Sequence, residues 1–465
     1  MKDEKTVKRL NDIDAFLKTV KEEYVSDLAS LIAIRSVTEK TGGEHVFGEK
    51  CAEVLEKALE IGNKYGFETE NCEYYCGSIL FRQKGEKEVG IVGHLDVVPE
   101  GNGWSYDPFR MTVENGLMIG RGTEDDKGPV VAGLYAMRYL KERGIELPFS
   151  VRLIMGCNEE AGMEDLPHYV ETRKTPDFSF TPDTSFPVCV GEKGIGTIEV
   201  TLCENASDII DIKGGTVKNA VPDRAYAVVR YSGQALEEKE GIVTEISGDA
   251  VIITAFGETA HAAMPETGKN AIGMLCSYII ENGLAPKDAD ALSFAAKSAS
   301  EYYGSTLGID CSDKESGYLT CVGSLIRYEE GKIIQTFNIR LPVTKTWENA
   351  ISRFDALTKE GRQVKWLSRS EPYYISPDKK EIQCLLRSCE DVVGEKMEPY
   401  TMGGGTYARH FPNTVAFGAT IYKYRNELGE GRGHAHDRDE YLSVAEFESA
   451  VKIFVLSLLR LGGME

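Results

Sequence analysis

Apolar residues fall at helical spacing over residues 5–33, at Leu10, Ile13, Phe16, Leu17 and Val20, then at Leu28, Leu31 and Ile32. That spacing predicts an amphipathic helical segment. Residues 50–66 repeat the pattern, with Gly66 placed to end the helix. The period then changes. Residues 79–82 and 88–92 read as strands, residues 129–143 as a helix closed by Gly144, and residues 149–155 as a buried, β-branched strand. Strands alternating with helices predict an α/β domain with a mostly parallel sheet.

Near residue 190 the character shifts again. Strand-like segments dominate from 194 to about 339, at 196–202, 225–231, 250–256 and 333–339, with helical stretches near 270–281 and 289–303. This predicts a second, α+β domain. The Pro-bearing polar segment SEPYYISPDKK (370–380) reads as a hinge. After it come a helix over 381–393, a Gly-rich turn, a short apolar strand at 414–417, and a final helix, Val444–Leu461, apolar on one face. The expectation is therefore one discontinuous domain, residues 1–189 and 377–465, interrupted by an inserted domain over 190–376.

Composition narrows the class. The 465 residues are 42% hydrophobic and 27% charged, which is the balance of a folded globular chain. A net charge of −21 argues against nucleic acid, whose binding requires Lys and Arg to neutralise phosphates. No apolar stretch reaches the roughly 18 residues of a membrane span, so no membrane partner is expected. The N-terminus MKDEKTVKRL has no apolar core of a secretory signal. The 11 cysteines lack a zinc-knuckle spacing and are expected to be reduced thiols of a cytoplasmic protein.

Five stretches place His or acidic residues where strand-like runs end or beside them. They are GHLDVVP (93–99), GRGTEDDKGP (120–129), GCNEEAGMED (156–165), TPDTSFPV (181–188) and GHAHDRDE (433–440). In GHLDVVP, His94 and Asp96 are two residues apart and would share one face of an extended chain. Sites in open α/β sheets form beyond the carboxyl ends of strands. Gathered there beside two His groups, the carboxylates of three such stretches would repel one another without cations, so the pattern points to a metal site.

These stretches, in this order, resemble the two-metal aminoacylase/carboxypeptidase metallopeptidase family. Within it the chain is similar to the bacterial PepV-type, carnosinase-like dipeptidases, through HLDVVP, GW (103–104), RGTEDDKGP, NEEAGMED, TPDTSFPV, GGGTYAR (403–409) and the long insert. The resemblance implies a phosphorylase/hydrolase-like α/β catalytic domain interrupted by an α+β lid. It implies metal ligands at His94, Asp125, Glu160, Asp183 and His436, with Asp125 bridging two ions and the Asp125–Asp126 peptide cis. Asp96 would orient His94, and Glu159 would be the general base. From the lid, His261 would stabilise the oxyanion, Asn219 would contact substrate and Arg340 would grip its carboxylate, with Gly404 and Arg409 lining the pocket. Asp439 stands where the family often has Asn, and His434 is a rival to His436.

The cofactor implied is a pair of divalent ions. Zinc is the default for such donors, and manganese or cobalt suits them too. The expected reaction is hydrolysis of small unblocked dipeptides, with the enlarged lid letting a monomer act alone. Hydrolysis of N-acyl amino acids by a carboxypeptidase or amidase, and a catalytically silent binding protein, are the alternatives.

Overall fold

The computed structural model describes residues 4–359, 361–421, 427–429 and 431–464. The chain forms two compact units, one of residues 1–190, 375–400 and 406–465, the other of residues 191–374 and 401–405.

In the first unit the helical spacing over 5–33 resolves into two helices, α1 (Glu4–Thr19) and α2 (Lys21–Ile32). The break falls at Val20, which is itself buried and starts the second helix. Helix α3 (Glu49–Lys64) buries Cys51, Val54, Leu55, Ala58 and Ile61 and ends before Gly66, whose φ of 71° suits a residue without Cβ. Then follow β1 (Glu68–Cys72), β2 (Cys76–Phe81), β3 (Glu88–His94), β4 (Thr112–Glu114), β5 (Leu117–Ile119), α4 (Lys127–Glu142), β6 (Ser150–Gly156), α5 (Asp165–Thr172) and β7 (Phe178–Thr181).

The main sheet of this unit runs β1-β2-β6-β3-β7 and continues to the strand Thr414–Ala416. The strands β6, β3, β7 and Thr414–Ala416 are parallel, whereas β1 and β2 form an antiparallel margin. The apolar runs of β3 and β6 follow from burial on both faces. Helix α4 lies against β3 and against the C-terminal helix Val444–Leu461. Phe454 of that helix packs on Phe180, Phe186 and Phe417. The helix starts in a capping box, with the Ser443 side chain and Glu446 each satisfying the other's main-chain N–H.

The second unit is built on an eight-stranded sheet whose neighbours are all antiparallel. Its order is Ile242–Ser247, Ala250–Phe256, Arg224–Arg230, Ile209–Gly214, Thr320–Glu329, Lys332–Leu341, Gly194–Cys203 and Val364–Ser370. Arg224–Arg230 and Ala250–Phe256 alternate buried and less buried residues, as expected of a sheet with one covered face. Helices Ala271–Glu281 and Ala289–Ser300 cover that face, with Ile272, Leu275, Leu292 and Ala295 fully buried.

Candidate metal centre

The parallel register places the chemistry. His94, the last residue of β3, pairs with Gly156, the last of β6, so the loops that follow begin at one level. Beyond Gly156 comes Cys157-Asn158-Glu159-Glu160, and beyond Thr181, the last residue of β7, comes Pro182-Asp183. The distant C-terminal motif arrives by a separate route. Strand Tyr441–Ser443 pairs with β5, Tyr441 opposite Ile119, and Gly120 N–H donates to the Glu440 carbonyl at 2.9 Å. The His436 loop therefore lies beside the loop that carries Asp125.

Seven predicted residues of the first unit meet here. Asp125 Oδ1 is 2.9 Å from His94 Nε2, and Asp125 Oδ2 is 3.1 Å from His436 Nε2. Glu160 Oε1 lies 3.0 Å from the same His436 nitrogen, and Asp183 Oδ1 lies 3.9 Å from His94 Nε2. Two donor groups result, His94–Glu159–Asp183 and Asp125–Glu160–His436, each with donor atoms within 4.8 Å of one another. Among the described residues His436, not His434, stands in such a group. The Asp125–Asp126 peptide is cis.

The surroundings aim these groups. His94 Nδ1 faces the Asp96 carbonyl at 3.0 Å, which leaves Nε2 toward the carboxylates. The Asp96 carboxylate takes the main-chain N–H of Glu159 and of Glu160, both at 3.1 Å. Asp126, fully buried, accepts the His94 main-chain N–H at 3.1 Å. Asp165 Oδ2 accepts from Cys157 N at 2.7 Å, Asn158 N at 2.9 Å and the Tyr407 hydroxyl. A Cβ at Gly156 would strike both Tyr407 and Asp165, so only glycine leaves room for this support beneath the Glu159 turn.

Charge is heavily one-sided. Burial, then the neighbouring Asp183, holds the Glu159 carboxyl well above the usual range, and burial with Asp125 raises Glu160. Burial and Asp125 push Asp183 up to about 7. Burial opposes a charged His94, yet Asp125, Asp183 and Asp96 hold its imidazole well above the ordinary value. Asp125 and Glu160 raise His436 to about 11. Such mutual dependence marks a site short of positive charge.

Glu440, Arg121, Asp165 and Lys127 were not singled out as site residues from sequence. Glu440 is fully buried; its Oε1 accepts from Gly122 N, Glu124 N and Asp125 N at 3.0, 2.9 and 3.1 Å, and its Oε2 is 2.5 Å from Arg121 Nη1. Arg121 also donates to the His436 carbonyl at 3.2 Å. The signal was available: charged residues inside three of the motifs that were too close to the ligands to be idle surface.

In the second unit a two-residue ladder, Ala220–Val221 against Ala260–His261, sets Asn219 beside His261, and Ala262 N–H donates to the Asn219 carbonyl at 2.9 Å. Ala263 N–H donates to His261 Nδ1 at 3.2 Å. Burial, with Arg340 nearby, lowers the His261 pKa. Arg340 is buried and donates to Asn338 Oδ1 at 2.9 Å and to the Gly403 carbonyl at 2.8 Å, next to Gly404. Arg409 belongs to the first unit, on the short turn Tyr407–His410.

Comparison with known proteins bears on this arrangement. A profile described as "Peptidase family M20/M25/M40" matches residues 90–460. The YtjP protein of Bacillus subtilis (strain 168) is 32% identical over 465 residues, covering 95% of this chain and 97% of that one. The β-Ala-Xaa dipeptidase of Lactobacillus delbrueckii subsp. lactis is 33% identical over 421 residues, 86% of this chain and 89% of that one. Human carnosine dipeptidase 1 shares the fold at a TM-score of 0.57 and 15% identity, over 98% of this chain and 99% of that chain.

Proposed function

The chain belongs to peptidase family M20/M25/M40 and is a hydrolase of the peptidase class, and from that premise we propose that it is a metal-dependent dipeptidase acting on small unblocked dipeptides. One observation carries the metal assignment: the two oxygens of Asp125 face two different imidazoles, at 2.9 and 3.1 Å.

The residues present fit a pair of divalent ions. His94 Nε2 and Asp125 Oδ1 are buried and face each other at 2.9 Å without hydrogen-bond geometry, and the groups around them are imidazoles and carboxylates, the donors zinc takes. We assign His94 and Asp183 to one ion, Glu160 and His436 to the other, and Asp125 to both. Bound there, the ions would supply Lewis-acid polarisation of the scissile carbonyl and activation of water at neutral pH.

The chain's own groups do the rest. Glu159 stands beside His94 and Asp183, and its carboxyl resists ionisation through burial and its acidic neighbours. The same surroundings raise the proton affinity of the ionised form, and as the carboxylate Glu159 takes the proton of the attacking water and then, as the acid so formed, hands it to the departing amine. Asp96 keeps the Glu159–Glu160 turn in place through two N–H bonds. The roles given to the second unit rest on the resemblance and on the grouping of these residues within that unit. By the resemblance, Arg340 is assigned to the substrate carboxylate, His261 to the developing oxyanion, and Asn219 and Gly404 to the peptide; Arg409, in the first unit, is likewise assigned a substrate contact. Recognition of both charged ends would reject longer peptides, which leave site groups unpaired.

The test is a matched pair of dipeptides, free and N-acetylated, given to chelator-treated protein reloaded with Zn²⁺ or Mn²⁺. Restored hydrolysis of the free dipeptide supports the reading. Faster cleavage of the acetylated one points to an N-acyl amino acid hydrolase, and no hydrolysis with metal bound points to a silent binding protein.

A further inference from the structure

His436 presents a specific difficulty. Its side chain is 55% exposed, so packing does not fix the ring, and its φ of 67° lies in the left-handed region, which is uncommon for residues other than Gly. Its aim at Asp125 and Glu160 must come from the loop that carries it. That loop closes on itself through Asp437 N to the His434 carbonyl (3.0 Å), Gly433 N to the Arg438 carbonyl (3.0 Å) and Tyr441 N to the Gly433 carbonyl (3.1 Å). A closed loop still needs an anchor to the body of the unit.

Two adjacent, fully buried carboxylates provide anchors in different directions. Glu440 holds the Gly122–Asp125 loop and Arg121, as described above. Asp439 holds the segment that follows GHLDVVP. Its Oδ1 accepts from Ser105 N at 2.7 Å and Tyr106 N at 3.3 Å. Its Oδ2 takes Arg432 Nε at 2.9 Å and Nη2 at 2.7 Å. Arg432 Nη2 also donates to Ser105 Oγ at 3.1 Å, so the guanidinium grips both sides of the junction.

Asp439 stands where the resembling family often has a neutral Asn. Its φ of 55° is one that Asn and Asp alike tolerate. The oxygen bonded to Ser105 and Tyr106 would be supplied equally by an amide. The charge is what differs, and a buried charge without a partner is expensive. Arg432 supplies that partner from the start of the same loop.

We infer that Arg432 is a positioning residue for His436, acting through Asp439, and that the two form a charge-matched substitute for a neutral anchor. The inference rests on His436 being a ligand, as proposed above. An ordinary exposed ion pair would contribute little; this one has its carboxylate wholly out of water.

Its test is Co²⁺ titration of the full-length, metal-depleted protein, following the visible ligand-field bands and chelator competition for each equivalent. His436→Ala identifies which equivalent belongs to His436. Wild-type protein is expected to bind two equivalents. Arg432→Ala should weaken the His436-dependent one by about 10–100-fold, the range for loss of a residue that supports a ligand, and alter its bands. Asp439→Asn should keep wild-type affinity, and Arg432→Ala combined with Asp439→Asn should regain what Arg432→Ala loses. Should Arg432→Ala fail to fold by circular dichroism, the double variant decides, since wild-type affinity there supports the charge-matching role. Unchanged affinity in Arg432→Ala, or a double variant that is not rescued, overturns the inference. A wild-type protein that binds fewer than two equivalents overturns the two-ion assignment beneath it instead.

Discussion

Asp96 holds His94 by its main chain, not by its carboxylate. The Asp96 carbonyl is 3.0 Å from His94 Nδ1, while Oδ1 of the same residue is 3.5 Å away and is used on the N–H of Glu159. The HxD spacing thus serves two loops at once. Asp96→Ala leaves the carbonyl that orients the imidazole but frees both N–H groups of the Glu159–Glu160 turn. The expected result is a fall in Zn²⁺ affinity of about 10–100-fold, as for other residues that support ligands. Asp96→Asn, which keeps one acceptor oxygen, should fall between. Competition with a chromogenic chelator measures both, and unchanged affinity in Asp96→Ala would show that the turn stands without it.

Glu159→Gln separates metal binding from proton transfer. The amide keeps the size of the side chain and loses the basic oxygen. Metal content by elemental analysis should match wild type, while kcat on a good dipeptide falls at least about 100-fold, the low end for loss of a general base. Turnover near wild type would remove Glu159 from that role.

The α/β class and most long elements of the first unit were legible because buried parallel strands and amphipathic helices write distinct periods into the sequence. Residues 79–82, 88–92 and 149–155 fall within or overlap β2, β3 and β6. Strand β1, ETENC, was missed because its exposed positions carry Glu68 and Glu70 and the positions between them carry Thr69 and Asn71, with no apolar residue before Cys72. The single helical stretch expected over 5–33 is two helices because hydrophobic spacing continues across the break at Val20. At the site, residue types announced themselves, but division of labour did not. Nothing in the spacing of HLD tells a carbonyl from a carboxylate, and nothing in DRDE says that its last two acids point to different loops, each matched by its own arginine. The second of these depends on pairing between Tyr441–Ser443 and β5, a contact more than 300 residues apart in sequence.

The Arg121–Glu440 pair predicts a stability effect distinct from catalysis. Both side chains are buried, and Glu440 also receives three main-chain N–H groups. Arg121→Met strands the carboxylate and should destabilise the metal-free protein by about 3–5 kcal/mol, the cost of breaking a buried pair from one side. Arg121→Met with Glu440→Gln should recover part of that loss, because the amide oxygen still accepts the N–H groups. Urea midpoints of the metal-free proteins provide the comparison, and additive losses would indicate that the pair is not coupled.

Lys127 predicts a pH dependence of stability. Its side chain is wholly buried at the start of α4, and Nζ donates to the Leu31 and Ile34 carbonyls at 3.0 and 2.9 Å. Burial lowers its pKa from 10.5 to about 7, against the pull of Cys51, Glu440 and Asp96. Below that value both folded and unfolded chains carry the proton, and the cost of burying the charge is constant. Above it the folded chain releases the proton while the unfolded chain keeps it until 10.5. The unfolded state then binds more protons, so stability rises with pH across this window, by at most about 1.4 kcal/mol per unit. Lys127→Met removes the titration. The stability of wild type minus that of Lys127→Met, from urea unfolding of metal-free protein, should be flat below about pH 6 and climb between about pH 7 and pH 9. A difference that stays flat throughout would mean that the two carbonyls hold the ammonium charged in the folded protein.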